Sequence, residues 1–428
     1  MIAIVFASIL VFIFIGVPIA FAMGIASLFA VLFRDSISPL MMSQRAFTSL
    51  DNWLVMAIPL FMLAGKIMTK GGMSKRIVDF SSELFGFLRG GLAIISVMAS
   101  MIFAGVSGSS TADTAAIGSI MLPAMKEKGY NMNFATALQA AAGSIGPVIP
   151  PSILMILIGY TTDTSIAQLF LGGIIPGILI AIHAMVTAYI HAIFGGDNYL
   201  PTNKFNMRRL ISTGINALPG LGLPFIIVFG IVGGVFTATE AAVIAVVYGL
   251  IVGMFIYKDI KIKDIPKLLM ESAEISTIVL FCALAGYFFA RLVILEQVPT
   301  HLLQFIHTYV DSQAIFLIFV NILFLILGMF IGTFSAVIIF MPIVFPIAMS
   351  YGIDPVHFGV LITVNLAIGY ITPPYGADLF VACSISGQSI RQVTPHVLPF
   401  VIAILIVLII VTYIPSSFMW IPNLIRSG

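Results

Sequence analysis

Two short stretches of this sequence crowd hydroxyls around glycine. The first runs Ser107, Gly108, Ser109, Ser110, Thr111, Ala112, Asp113; the second is Gly332, Thr333, Phe334, Ser335. Two other stretches set a glycine four residues before a proline pair: Gly146 before Pro150 and Pro151, and Gly369 before Pro373 and Pro374. Proline has no N–H to donate and displaces the carbonyl four residues earlier. Pro147 therefore frees the carbonyl of Gly143, Pro150 that of Gly146 and Pro151 that of Pro147. In the second stretch Pro373 frees Gly369 and Pro374 frees Tyr370. Carbonyl oxygens beside hydroxyls suit a hard cation such as Na⁺. The plainer reading of each proline pair is a kink.

Ionisable residues inside apolar runs are functional suspects. Asp113 has two readings, a cation ligand or an N-cap for the apolar helix that follows. Arg291, in CALAGYFFARLVILEQV, would welcome a carboxylate; the alternatives are snorkelling to a surface or pairing with Glu296. Arg291, Thr111, Asp113 and Ser152 form the candidate substrate-facing set. Glu240 pairs with a base or braces the scaffold, and Asp378, after the second proline pair, also admits a structural role. Cys282 and Cys383 read as packing residues, and His183 and His191 as helix-end or packing residues. There is no catalytic dyad, no metal spacing and no Gly-rich loop followed by Lys-Ser/Thr. The class excluded first is therefore an ATP-driven machine, and an intramembrane enzyme has no residues to work with.

These residues must be positioned by a membrane protein. Of 428 residues 60% are hydrophobic and 8% charged, with mean hydropathy +1.16. A soluble domain carries about a quarter charged residues. The net charge of +2 gives no nucleic-acid surface. The solvent is lipid, and each span needs roughly 20 apolar residues. Spans must be helices, since lipid satisfies no backbone group, and a barrel would need alternating strands. Apolar runs fall at 2–33, 52–68, 90–106, 114–125, 134–160, 165–194, 218–257, 274–295, 313–348, 356–383 and 396–422. The first has no basic leader and is too long for a signal peptide, so it is read as a span. Run 218–257 holds two crossings, divided near Gly233, Gly234, Thr237, Thr239 and Glu240, and run 313–348 is likewise too long for one span, interrupted at Gly328, Gly332, Thr333 and Ser335. Lys204, Arg208 and Arg209 in one joint, and Lys258, Lys261, Lys263 and Lys267 in the next, place both joints in the cytoplasm. The joint 65–89, with Lys66, Lys70, Lys75, Arg76 and Arg89, reads the same way. The segment 258–269 has an alternative as a helix lying on the membrane surface.

An offset of 223 residues aligns two halves of the chain without a gap. It carries Gly105 onto Gly328, Pro123 onto Pro346, Gly129 onto Gly352 and Gly146 onto Gly369. It also carries Pro150, Pro151 and Pro176 onto Pro373, Pro374 and Pro399. Glycine and proline fix backbone geometry, so what repeats is a shape. The basic joints of one copy have base-poor counterparts in the other: Lys126 and Lys128 have no basic equivalent, and the joint 65–89 corresponds to 286–312, which has only Arg291. That asymmetry predicts an inverted-topology repeat, residues 1–217 and 218–428, with hairpins at 90–125 and 313–348. The alternative is a parallel duplication whose charges drifted. Inverted-repeat transporters place their site at the midplane, among broken helices. The fold class expected is an all-α polytopic membrane protein with two re-entrant helical hairpins and two broken helices.

The stretches GSSTADTAAIGSIMLPAM, GPVIPPSILMI, GGVFTATEAAVIAVVYG and GYITPPYGADLFVA resemble the large membrane subunit of the tripartite ATP-independent periplasmic (TRAP) transporters, the DctM-like family. The resemblance covers essentially the whole chain. It implies a multi-pass protein of the bacterial inner membrane that imports organic acids with Na⁺, by an elevator movement of the hairpins and broken helices against a scaffold. It implies a periplasmic substrate-binding protein and a small four-helix membrane subunit as partners, the latter a separate chain because this one begins at the large subunit's first span. It places one Na⁺ at Ser107, Ser110, Gly143, Gly146 and Pro147, and a second at Gly332, Thr333, Gly369, Thr372 and Pro374. Family substrates include C4-dicarboxylates and sialic acids, and the chain as a whole looks closer to the sialic-acid members. A stand-alone carboxylate symporter is the competing transport reading, weakened by the absence of a Ser-Asn-Thr signature at either hydroxyl-rich tip.

Overall fold

A computed structural model describes residues 15–32, 51–195, 199–201, 205–310 and 312–426, with some of the residues among 5–12 and 44–50. Lys204 and part of the first apolar run lie outside the described residues. Among the described residues the secondary structure is wholly helical. Eight helices among the described residues are long and apolar enough to cross a membrane.

Helix α1 covers Ile19–Leu32 and α2 Trp53–Lys70, the latter capped by Asn52, whose side chain accepts from Leu54 N. Next comes α3, Met73–Phe85, which buries Met73, Ser74, Ile77, Val78 and Ser81 on one stripe and exposes Lys75 and Asp79 on the other. This is the spacing of an amphipathic helix. Then α4, Gly91–Ser107, and α5, Ser110–Glu127, form a pair joined by Gly108 and Ser109. Gly108 has φ +61°, and a methyl group on it would come within 2.4 Å of Pro151 O. Only glycine allows this turn to lie so close to the first proline pair.

The expected span 134–160 is two short helices, α6 (Met132–Gly143) and α7 (Ile153–Thr162). The segment between them turns through Pro147, Pro150 and Pro151, which is why one long helix cannot form. The long α8 is Ile166–Phe194. The run 218–257 divides as expected, into α9 (Met207–Val232) and α10 (Ala238–Ile251). Gly234 makes the turn at φ +68°. Thr237 and Glu240 then form a reciprocal capping box, which is Glu240's role. The basic segment 258–269 is not a separate surface helix. Its second half is a 3₁₀ turn and the start of α11, Ile265–Leu295. At 1.5 Å per residue α11 is longer than the roughly 30 Å of hydrocarbon, so its lysine-bearing start projects beyond it.

The second half continues with α12 (Val298–Tyr309), α13 (Gln313–Phe330) and α14 (Thr333–Ser350). After these come α15 (Pro355–Gly369), α16 (Ala377–Ser386), α17 (Ile390–Tyr413) and α18 (Ser416–Arg426). Shifted by 223, the ends of the first set meet the ends of the second: Ser107 falls on Phe330, Ser110 on Thr333, Glu127 on Ser350 and Met132 on Pro355. Local devices coincide too. Gly129 and Gly352 have φ +76° and +72°. Asn131 and Asp354 cap α6 and α15 with their side chains. Pro150–Pro151 and Pro373–Pro374 are both cis.

The halves interlock. The second arm of each broken helix packs on the other half's hairpin: α16 lies against α5 and α6, and α7 against α14 and α15. Buried amides tie each first arm to its own hairpin. Gln139 on α6 accepts from Ser96 Oγ of α4 at 2.5 Å. Asn365 on α15 donates to Asn321 Oδ1 of α13 at 2.9 Å. Around this centre α2 packs on α10 and α11, and α9 on α3 and α10.

Candidate functional site

The chemistry gathers where the α4–α5 tip meets the first break. Ser107 Oγ donates to Asp113 Oδ1, and Ser109 N donates to Ser107 Oγ at 3.2 Å. Ser109 occupies the N-cap position of α5 and Asp113 its first turn. The carboxylate therefore caps nothing and is turned back toward Ser107. A methyl group on Gly146 would meet Asp113 Oδ2 at 2.5 Å and Ser110 N at 3.0 Å, and one on Gly143 would meet Ser110 O at 3.1 Å. Ser107, Ser110, Gly143 and Gly146 thus share one small volume that side chains at the glycines would fill.

Asp378, at the start of α16, completes this cluster. Ser110 Oγ donates to its Oδ2 across a sequence separation of 268. Both aspartates are fully buried and near enough to interact electrostatically. Asp113 Oδ2 and Asp378 Oδ1 have no hydrogen-bond partner among the described residues. Asp378 was read as an ambiguous residue after the second break. Its meeting with the first tip follows from the interlocking of the halves, which no local pattern records.

The freed carbonyls are partly re-used. Gly143 O accepts from Gly146 N at 2.9 Å, Pro147 O from Ser152 Oγ at 2.5 Å and Tyr370 O from Asp378 N at 3.0 Å. The expectation that these oxygens are left over is corrected to that extent. Tight turns and the N-termini of α7 and α16 supply donors, though a carbonyl keeps a second lone pair for a cation. Ser152 is also the cap of α7, accepting from Met155 N at 3.1 Å.

The second tip repeats the contact with different chemistry. Gly328 and Gly369 touch through their backbones, so that a methyl group on Gly369 would lie 2.7 Å from Gly328 Cα. Thr333 Oγ1 lies 2.5 Å from Tyr370 Oη. Tyr375 N donates to Met329 O at 3.0 Å, and Gly332 faces the Tyr375 ring. Thr372 Oγ1 donates to Ile368 O at 2.7 Å. Gly332, Thr333, Gly369 and Thr372 are thus held around one tip–break contact, with Pro374 in the cis pair beside them.

A cleft of about 380 Å³ opens beside the first tip. Its walls carry Ser107, Ser109, Thr111 and Ser119 from the hairpin, Lys66 and Thr69 from α2, and Ser272 from α11. Of the candidate substrate contacts Thr111 lines it. Asp113 and Ser152 do not line it and are fully buried. Arg291 is not on this cleft. It is half-buried on the last turns of α11. Lys66, counted among the cytoplasmic bases by sequence, is the base that reaches the cleft.

Residues 6–417 match the family model of the tripartite ATP-independent periplasmic transporter, DctM component. The chain is 38% identical over 402 residues to the C4-dicarboxylate TRAP transporter large permease protein DctM of Pseudomonas aeruginosa, covering 94% of each. It is 33% identical over 411 residues to the sialic acid TRAP transporter large permease protein SiaM of Vibrio cholerae, covering 96% of each. It is 38% identical to the isethionate TRAP transporter permease protein DctMQ of Oleidesulfovibrio alaskensis, 64% of whose length it spans. These identities do not favour the sialic-acid members over the others. Among solved structures, the YdaH transporter of Alcanivorax borkumensis matches with TM-score 0.58 at 16% identity, covering 89% of this chain and 90% of that one. At that identity the likeness is one of fold.

Proposed function

The chain belongs to the DctM component family of the tripartite ATP-independent periplasmic transporters, a family of inner-membrane permeases and not of enzymes, and from that premise we propose that it is the large subunit of a Na⁺-coupled importer of a small organic acid. The observation that carries the coupling is the fully buried Asp113, with one carboxylate oxygen unpartnered and turned toward Gly146. An ionised carboxylate in an apolar interior is costly without a counter-charge. Ser107, Ser110 and the carbonyls of Gly143, Gly146 and Pro147 supply further oxygen around it, a donor set for a hard cation. The equivalent contact at Gly332, Thr333, Gly369, Thr372 and Pro374 offers a second, uncharged site. Two Na⁺ per turnover is the reading this supports.

The repeat is inverted in this proposal, so the two tips approach the midplane from opposite sides. The anion binds in the cleft beside the first tip, where α5 presents its N-terminus. The hairpins and broken helices move as an elevator against α2, α9, α10 and α11. A periplasmic binding protein delivers the substrate and a small four-helix membrane subunit sits beside the scaffold. C4-dicarboxylates, sialic acids and isethionate, the acids in the relatives' names, are the substrate classes to try first.

The ion sites are tested by thermal unfolding of the purified protein. A ligand that binds only the native state raises stability with its concentration. Na⁺ is expected to raise Tm where equal K⁺ does not, and Asp113→Asn is expected to remove most of that rise. Equal stabilisation by Na⁺ and K⁺ would overturn the reading.

A further inference from the structure

The cleft beside the first tip has hydroxyls from four helices but one base, Lys66. Lys66 follows Gly65, whose missing side chain lets α2 approach Ser107; a methyl group there would lie 3.3 Å from Ser107 Cα. The lysine is thereby held beside the tip. Its Nζ lies 3.4 Å from Glu271 Oε2 on α11, with side-chain exposures of 34% and 39%. A strong charge-assisted contact is about 2.7–2.9 Å, so this pair is long and half-wet. Glu271 has a second base: Lys267 Nζ is 3.9 Å from its other oxygen. Glu271 therefore keeps a counter-ion if Lys66 turns away. The volume of about 380 Å³ falls at the small end of ligand pockets.

The mouth of this cleft is fixed by charge. α2 runs from Lys66 into the basic α3, and Glu271 follows Lys258, Lys261, Lys263 and Lys267. Both are cytoplasmic joints by the positive-inside rule. On that rule the Lys66–Glu271 end of the cleft is its cytoplasmic end.

We propose that Lys66 holds the substrate's carboxylate or sulfonate on the cytoplasmic side of the cleft, with Glu271 as the counter-ion it exchanges. This rests on the reading of the chain as an organic-acid importer. While the anion is bound, it takes Lys66 and leaves Glu271 to Lys267. When the anion departs, Glu271 closes on Lys66 and opposes rebinding. The ion pair is a release device, and Ser109, Thr111 and Ser272 supply the hydrogen bonds that orient the anion.

The test uses the complex with its membrane subunit in liposomes, with binding protein and an inward Na⁺ gradient. The probe is whichever of labelled succinate, sialic acid or isethionate the wild type accumulates. Lys66→Gln is expected to lower uptake at least tenfold at low substrate, while Na⁺ raises its Tm as in the wild type. Lys66→Arg is expected to restore most of the uptake. Glu271→Gln is expected to lower the half-saturating substrate concentration for counterflow from the cytoplasmic face and to slow release. Wild-type half-saturation in both Lys66→Gln and Glu271→Gln would overturn the proposal while leaving Na⁺-coupled import intact. A wild-type complex that takes up none of the three acids with Na⁺ removes the importer reading, and this proposal with it.

Discussion

Asp113 concentrates the chemistry of the protein into one side chain. Its carboxylate is fully buried, takes a hydrogen bond from Ser107, and has no ion pair among the described residues. Contacts to a charged group contribute about 1.5–3 kcal/mol, roughly 10- to 150-fold in affinity. Asp113→Asn is therefore expected to raise the Na⁺ concentration for half-maximal uptake by that factor. An unchanged Na⁺ dependence would place the ion elsewhere. Gly146→Ala is the complementary change, since its methyl group would lie 2.5 Å from Asp113 Oδ2. It is expected to abolish Na⁺-dependent stabilisation while leaving a protein that purifies as the wild type does. The hydroxyl-rich tip and the proline-disrupted break were legible in the sequence as features, although a kink was the plainer reading of each proline pair. The direction of the Asp113 carboxylate was not, since a cap and a ligand require the same residue at the same place. Asp378 and Lys66 were missed as members of the site because both reach it across long sequence separations.

At the scale of the helix, the offset of 223 carries more of the fold than any single motif. Glycine and proline survive in both halves because each answers a backbone demand. Gly352 turns at φ +72° with nothing near a methyl group, whereas Gly369 sits against Gly328 with no room for one. Gly352→Ala is expected to cost about 1–2 kcal/mol, the strain of a left-handed residue. Gly369→Ala is a case of overpacking and is expected to cost about 1–3 kcal/mol and to impair transport besides, since it pushes the second tip from its break. Urea unfolding of the purified protein measures the first, and uptake separates the second. Equal effects on uptake would mean that the close approach at Gly369 has no functional part. Hydropathy predicted continuous spans at 134–160 and 356–383, where the chain builds short helices about proline-rich turns. Hydropathy averages over such turns, and only their repetition marked them. The exchange of α7 and α16 between halves was not legible, because it is a matter of which surfaces meet.

For the molecule as a whole, the account makes import an electrical event. Two Na⁺ entering with a monoanion carry net positive charge inward, and each charge crossing 100 mV is worth about 2.3 kcal/mol. An inside-negative potential should therefore accelerate uptake and an inside-positive one retard it. Indifference to potential would mean a different stoichiometry or an electroneutral exchange. The most direct measurement is uptake of labelled succinate, sialic acid and isethionate into liposomes holding the chain with its small membrane subunit. The arms differ only in the presence of the Na⁺ gradient and of the cognate binding protein. The account predicts accumulation of one of these acids when both are present and background uptake when either is left out. Accumulation driven by Na⁺ without any binding protein would contradict the tripartite reading and favour a stand-alone symporter, and accumulation without Na⁺ would contradict the coupling assigned to Asp113 and its neighbours.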